Sequence, residues 1–151
     1  MFANNGPAII NEGPKDTFSN IKDNSEFVIN ISTYNNKDKM NETCFPLAKG
    51  ESEIDLAKLE TRESKIVKPK ILSESPINME CKLHQIIDLP VNNKNEYNGI
   101  IIGQVLGIHI QDDYILNGII DVKKLKPLAR LGYMDYSIVD SFFQMNRPRQ
   151  K

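Results

Sequence analysis

The sequence predicts a mainly β domain, a small barrel of short strands with a few short helices. Three stretches carry that prediction. Ile77, Met79, Cys81 and Leu83 alternate with Asn78, Glu80, Lys82 and His84, the period-two pattern of a strand with one buried face. Residues 26–33, EFVINIST, are rich in β-branched side chains and bounded by polar clusters. Residues 100–110, IIIGQVLGIHI, are apolar on both faces and interrupted by Gly103 and Gly107, as in strands that bend at the corners of a small barrel.

The other elements follow in order. Met1-Phe2-Ala3 running into Asn4-Asn5-Gly6-Pro7 reads as the end of a strand entering a turn. Asp16 or Thr17 caps a short helix whose Phe18 and Ile21, three apart, share the buried face. Residues 36–44 predict a helix too polar to be central, and 52–59 another with Ile54, Ala57 and Leu59 inward. Pro69 makes 65–71 an edge segment. In the alternating strand Cys81 faces the core and His84 the other side, and the adjacent Ile86 and Ile87 predict a bulge near Gln85. Residues 91–98 are a polar hairpin loop, and the apolar 100–110 strand implies packing on both faces. Turns at Asp112-Asp113 and Asn117-Gly118 flank a short strand at 114–116, and Asp121 caps a helix ending before Pro127. Residues 134–139 are the last strand, Phe142-Phe143 an apolar anchor, and Arg147-Pro148-Arg149 a loose tail.

Composition bounds the function. The 151 residues make one domain, 1–151, large enough for a real core. A net charge of -1 gives no basic footprint for nucleic acid, and the longest apolar run is too short to span a bilayer. No secretory signal is visible. Cys44 and Cys81 lack a CxxC or His-rich setting and read as buried free thiols in a reducing compartment, which places the protein in the cytoplasm.

Few residues announce a reaction. No Gly-rich nucleotide fingerprint or GxSxG elbow is present, His84 and His109 lack metal-ligand spacing, and no metal site is expected. His84 reads as a surface residue, His109 as a hydrogen-bonded structural one, and Cys44 has no adjacent base. Two clusters stand out. In Gly13-Pro14-Lys15-Asp16-Thr17, a turn, a lysine and a hydroxyl meet at a helix start, either as a phosphate cradle or as a simple cap. Residues 130–136, RLGYMDY, place a cation, a glycine and two aromatics together, either to line a flat ring or to lead a turn into a strand.

The segments GPKDTFSNI, EFVINISTY, VKPKILSESPINMECKLHQIIDLP, IIIGQVLGIHIQDDYILNGIIDVKKLKPLARLGYMDY and SFFQMNRP, in that order and spacing, resemble the flavin reductase-like, FMN-binding split-barrel family. The resemblance covers nearly the whole chain and extends to the reductase components of two-component flavin monooxygenases. It implies a split β-barrel that forms a homodimer, with FMN in a groove between subunits. Hydride would pass from NADH or NADPH to the flavin, with a partner oxygenase as one destination of reduced flavin. By position, Lys15, Asp16 and Thr17 match the family's KDT segment near the flavin phosphate. Arg130, Gly132 and Tyr136 match a segment near the flavin or the subunit interface. Tyr133 replaces the second glycine of an RLGG pattern and crowds nicotinamide approach. The resemblance assigns no catalytic residue.

It also implies an N-terminally truncated barrel. Family members carry about one further third of a domain before KDT, on ordinary domain sizes. That region includes an NLAPYSxF-like stretch that supplies much of the flavin site, and MFANNGP corresponds to the end of its last strand, of the form PPIVMF, and the turn after it. Two other readings stand beside the reductase: a non-catalytic remnant or interaction module of the same fold, and a small-ligand-binding β-barrel unrelated to flavin.

Overall fold

The computed structural model describes residues 2–3, 16–48, 50–92 and 97–148. The expected turn at Asn4–Pro7, Gly13 to Lys15 of the first cluster and the end of the tail lie outside them. The main sheet is built from β1 (Phe2–Ala3), β2 (Glu26–Asn30), β5 (Ile77–Leu89) and β6 (Asn98–Ile110), in the order β1-β6-β5-β2. Every pairing is antiparallel. The two 13-residue strands β5 and β6 form its spine, running from Ile77↔Ile110 to Leu89↔Asn98. The short β2 covers only the first half of β5, from Asn30↔Asn78 to Glu26↔Lys82.

Helix α1 (Asp16–Asn24) forms where a helix is expected, but Asp16 and Thr17, expected as its cap, lie within its first turn. Phe18 and Ile21 are its buried residues, and they join Phe27, Cys81 and Ile101 in the core. The Phe18 ring lies 4.3 Å from that of Tyr97, and Leu83, Ile86, Ile29 and Met79 close around the cluster. Burying these side chains supplies the main stabilisation, at about 1.5–3 kcal/mol for each large one. Gly103 is required here because a Cβ would sit 2.3 Å from Cζ of the Phe27 ring.

The expected bulge is present: the register slips between Leu83 and Gln85, so Ile86 joins the core side although the strict alternation has failed. A second slip falls between Glu80 and Cys81. Other expectations are corrected. Residues 65–71 are no continuous edge strand but the loop joining β3 (Thr61–Arg62) to β4 (Ile71–Leu72), and this excursion covers the second face of β5. Asn78 and Glu80, expected on a solvated face, are therefore fully buried. A 3-10 turn at Tyr34–Asn36 leads into α2 (Lys37–Glu42), in place of one helix over 36–44. In α3 (Glu53–Leu56) the following Ala57 is buried, but Ile54 is exposed.

The chain after β6 matches the turn chemistry. Asn117 (φ 52°) and Gly118 (φ 76°) join β7 (Ile115–Leu116) to β8 (Ile119–Ile120), as an Asn-Gly hairpin turn requires. Asp121 Oδ1 accepts the Lys124 N–H at 3.0 Å and caps α4 (Val122–Leu125). Residues 128–132, which the sequence reading did not assign to a strand, form β9 (Leu128–Gly132), which pairs with β10 (Asp135–Ile138), the core of the strand expected at 134–139. Phe142 and Phe143, expected as an apolar anchor, are exposed, with the Lys123 ammonium 5.9 Å from the centre of the Phe142 ring, and Cys44 is exposed where a buried thiol was expected. The apolar β6 is likewise not packed on both sides along its length: Ile102, Val105, Leu106 and Ile108 remain exposed.

Gly103→Ala should lower stability by about 1–3 kcal/mol, because the Phe27 ring is enclosed and cannot swing aside. Urea unfolding of the two proteins measures this.

Candidate functional site

Asp16 and Thr17, at the start of α1, are both exposed. Because Phe18 and Ile21 turn one face of the helix into the core, Thr17, Asn20 and Asn24 fall together along the border of that face. They form one wall of an open cavity of about 580 Å³. Glu26, Phe27 and Val28 of β2 line it together with Lys68, Pro69 and Lys70. Lys15 lies outside the described residues.

What holds 68–70 in place is a carboxylate. Glu80 projects from β5 into the covered face, fully buried, and accepts the N–H groups of Lys65 (2.9 Å), Ile66 (2.6 Å) and Val67 (2.8 Å). His109 Nε2, from the neighbouring strand β6, lies 2.5 Å from its Oε1. Burial pushes the Glu80 carboxyl up. The Lys65 N–H, His109 and the Val67 and Ile66 N–H groups together outweigh that and hold its pKa down, at about 2 against an ordinary 4.5. An ionised Glu80 only accepts, so His109 presents Nε2–H to it. Two more bonds fix the loop: Ser64 Oγ donates to the Pro69 carbonyl, and the Lys68 N–H donates to Glu26 Oε2 at 3.0 Å.

The second cluster is a hairpin. Arg130 donates to the Tyr136 hydroxyl at 3.1 Å and to the Tyr133 carbonyl at 2.9 Å, with its guanidinium 5.5 Å from the centre of the Tyr136 ring. Gly132 takes φ 130° and Tyr133 φ 48° in the turn between β9 and β10. The Tyr133 side chain is 95% exposed there. The structure thus brings Arg130 and Tyr136 together across the hairpin, with Gly132 in the chain between them. The hairpin is rooted by the Thr33↔Pro127 bridge and the Leu128 N–H bond to the Ser32 carbonyl. Among the described residues no hydrogen bond or ion pair joins it to α1 or to the groove.

Lys68, Lys70 and Glu80 were missed as site-forming residues. Glu80 stands in a strict polar–apolar alternation, where a buried and a solvated carboxylate look alike. The one available signal was Pro69 beside two lysines in a segment that could not be an interior strand. Among the described residues no group of three or more His, Cys, Asp or Glu side chains is placed to hold a metal, and no helix is long and apolar enough to cross a membrane.

Residues 8–125 match the model of the flavin reductase like domain. The chain belongs to that family. BH2278 of Halalkalibacterium halodurans, an uncharacterized protein, is 32% identical over 135 residues, which is 89% of this chain and 65% of that protein. Nitrilotriacetate monooxygenase component B from Bacillus cereus superposes with a TM-score of 0.82 at 33% identity, covering 87% of this chain and 65% of that one. A Shewanella frigidimarina protein with a split barrel domain superposes with a TM-score of 0.77 at 21% identity, covering 87% and 65%. The fold is therefore the flavin reductase split barrel, mainly β as the sequence predicts. The chain spans about two thirds of the length of these relatives.

Glu80 makes stability depend on acid. Its folded pKa is depressed, so its contribution is complete above pH 4.5 and is lost as pH falls from 4.5 towards 2. Glu80→Gln should remove that acid limb and, by leaving loop N–H groups and His109 poorly matched, cost about 3–5 kcal/mol at pH 7. Urea midpoints of both proteins across pH 2–7, on the order of half a unit apart, test the linkage. Tyr133→Gly should instead stabilise by about 1 kcal/mol, since an exposed ring at positive φ carries strain without packing. The same unfolding assay reads it.

Proposed function

We propose that this chain, as a single domain over 1–151, binds FMN and passes hydride to it from NADH or NADPH, working as a homodimer. The observation that carries the reading is the groove that Thr17 of the KDT segment lines together with Lys68 and Lys70. Its chemistry fits a phosphorylated flavin: cationic and hydroxyl groups for a phosphate, and apolar Phe27, Val28 and Pro69 for ring or ribityl carbon. Family membership and the likeness to a monooxygenase component B support the flavin assignment. Bound flavin supplies the two-electron carrier, and the protein supplies binding, orientation and polarity.

Lys15, Asp16 and Thr17 hold the phosphate side in this reading. Arg130, Gly132 and Tyr136 offer a stacking surface, its guanidinium already oriented by the Tyr136 hydroxyl. Exposed Ile102, Val105, Leu106 and Ile108, spread over both faces of β6, give a second copy apolar surface to cover. A partner oxygenase is a fitting consumer of reduced flavin. Two free thiols, Cys44 and Cys81, suit a reducing cytoplasmic setting. The same uncovered apolar face favours one alternative, a non-catalytic interaction module of this fold.

Purified chain should take up FMN to near one per chain, and anaerobic NADH or NADPH should bleach the bound flavin. A protein that takes up no FMN on titration refutes the flavin reading, and one that binds FMN but is bleached by neither nucleotide refutes the reductase. Thr17→Ala should weaken FMN by roughly tenfold, the worth of one charge-assisted hydrogen bond, and riboflavin much less. Equal loss for both ligands removes Thr17 from the phosphate.

A further inference from the structure

We infer that the β9–β10 hairpin is a flap, hinged where residues 33 and 127 meet, that closes by extending its pairing along the outer edge of β2. The device is independent of the flavin reading and of the groove beside α1.

β2 has a strand partner on one side only, β5. The Leu83 N–H bond to the Ser25 carbonyl and the Ile31 N–H bond to the Ile77 carbonyl bracket that ladder. In an antiparallel pair alternate residues exchange both bonds with the partner strand, so Phe27 and Ile29 serve β5. The N–H and C=O groups of Val28 and Asn30 therefore point the other way, and among the described residues no backbone bond meets them. A few residues on, the same edge is taken. The Tyr34 N–H bonds the Lys126 carbonyl at 3.0 Å and the Leu128 N–H bonds the Ser32 carbonyl at 3.1 Å, on either side of the Thr33↔Pro127 bridge. The return bond from the Ser32 N–H to the Leu128 carbonyl is not made, so an antiparallel ladder starts here and stops.

β9 carries the groups to continue it. The Val139 N–H bond to the Pro127 carbonyl and the Ala129↔Ser137 pair turn Pro127 and Ala129 towards β10. The backbone groups of Arg130 then face away from β10, on the side where Leu128 already bonds Ser32. Carried forward, the 33↔127 register sets Arg130 opposite Asn30, with the bonding groups of each turned to the other. Past Arg130 the register shift against Asp135 and Tyr136 ends the regular strand.

Side chains match in the same register, because directly opposed residues share a face. Leu131, 68% exposed as the hairpin stands, comes beside Ile29, which packs against the core cluster. Arg130 comes beside Asn30, whose Oδ1 accepts the Leu72 and Asn78 donors on the polar face. A slip of one residue would exchange these faces. Room exists along the edge: a cavity of about 340 Å³ is lined by the consecutive residues Val28 to Ser32, with Met40 and Leu59. Consecutive strand residues alternate in face, so this cavity borders the edge itself. Closure covers it from that side and carries the Arg130–Tyr136 pair onto β2 without breaking a bond inside the hairpin.

Amide hydrogen exchange, read by NMR on the whole chain, tests the flap. The N–H groups of Asn30, Ser32 and Arg130 should be slowed together, by roughly tenfold or more over unprotected chain, because one closing step covers all of them. Leu131→Asp, at an exposed position, sets a charge against Ile29 and should abolish that shared protection. Ala129 and Ser137, bonded within the hairpin, should stay protected in the same variant. Arg130→Pro deletes the outward N–H without touching the β10 ladder, and should likewise release Asn30 and Ser32. Unprotected amides in the parent chain overturn the flap, as does shared protection that both variants leave unchanged. Protection of Asn30 and Ser32 without Arg130 overturns it and assigns the edge to another segment. Protection that rises with protein concentration overturns it in favour of a strand from a second copy.

Discussion

The Glu80 carboxylate is the constraint on which the arrangement turns. A lone buried carboxylate is costly, and this one is stabilised by three backbone N–H groups and the His109 ring rather than by a lysine or arginine. Those N–H groups belong to a loop that would otherwise have no partner for them in the sheet. One side chain therefore satisfies the loop, and the loop shields the side chain. A second polar lock sits beside it: Asn78 donates to Asn30 Oδ1 at 2.8 Å, Arg62 donates to Asn78 Oδ1 at 3.2 Å, and the Leu72 N–H also reaches Asn30 Oδ1. The two locks, Glu80 on the middle of the 61–75 excursion and the Asn78–Asn30 pair on its Arg62 and Leu72 ends, fold it across β5. The lysine-bearing wall of the groove follows from that placement.

Where the sequence was legible, the physics was local. Phe18 and Ile21 declare one helical face, Asn117-Gly118 declares a hairpin turn, and Asp121 declares a cap, because each signal is complete within a few residues. Gly103 was readable as a close approach, though not which ring approaches it. Glu80 and Asn78 were not readable, since alternation tells only that a residue leaves the core face, never whether a distant loop covers the other one. The β9 strand was missed for a related reason: RLGYM looks like turn chemistry, and the turn is there, but its flanks pair with each other rather than with a neighbour named by pattern. Of the two clusters, the one at 130–136 is local, and its Arg130 and Tyr136 meet across a short hairpin. Lys68 and Lys70 join Thr17 only through the tertiary path of Glu80.

The apolar positions of β6 pose the opposite problem. Ile102, Val105, Leu106 and Ile108 carry the β-branched and aliphatic surface of an interior strand and are not covered by the described residues. A sequence selected only for exposure at these positions would replace several of them with polar residues, since exposed apolar surface invites association. Tyr133 adds a local version of the same tension, with backbone strain and a solvated ring at one position. Strain that contributes nothing to packing within its own hairpin is accounted for when the ring has a surface to meet elsewhere.

These features divide the labour of recognition between two kinds of scaffold. The groove is walled by a helix fixed through its buried face and by a loop tied to a buried charge, so its donors are held before any ligand arrives. The Arg130–Tyr136 hairpin is held only by its root and by its own internal bonds, and it projects its aromatic tip outward. A phosphate rewards the first arrangement, because a point-like dianion is discriminated by fixed charge and fixed donors. A flat ring rewards the second, since stacking tolerates sliding and gains from a surface that closes after the phosphate is seated. For a ligand that carries both chemistries, affinity is then set at the groove within one chain, while ring contact is set by whatever brings a hairpin over it.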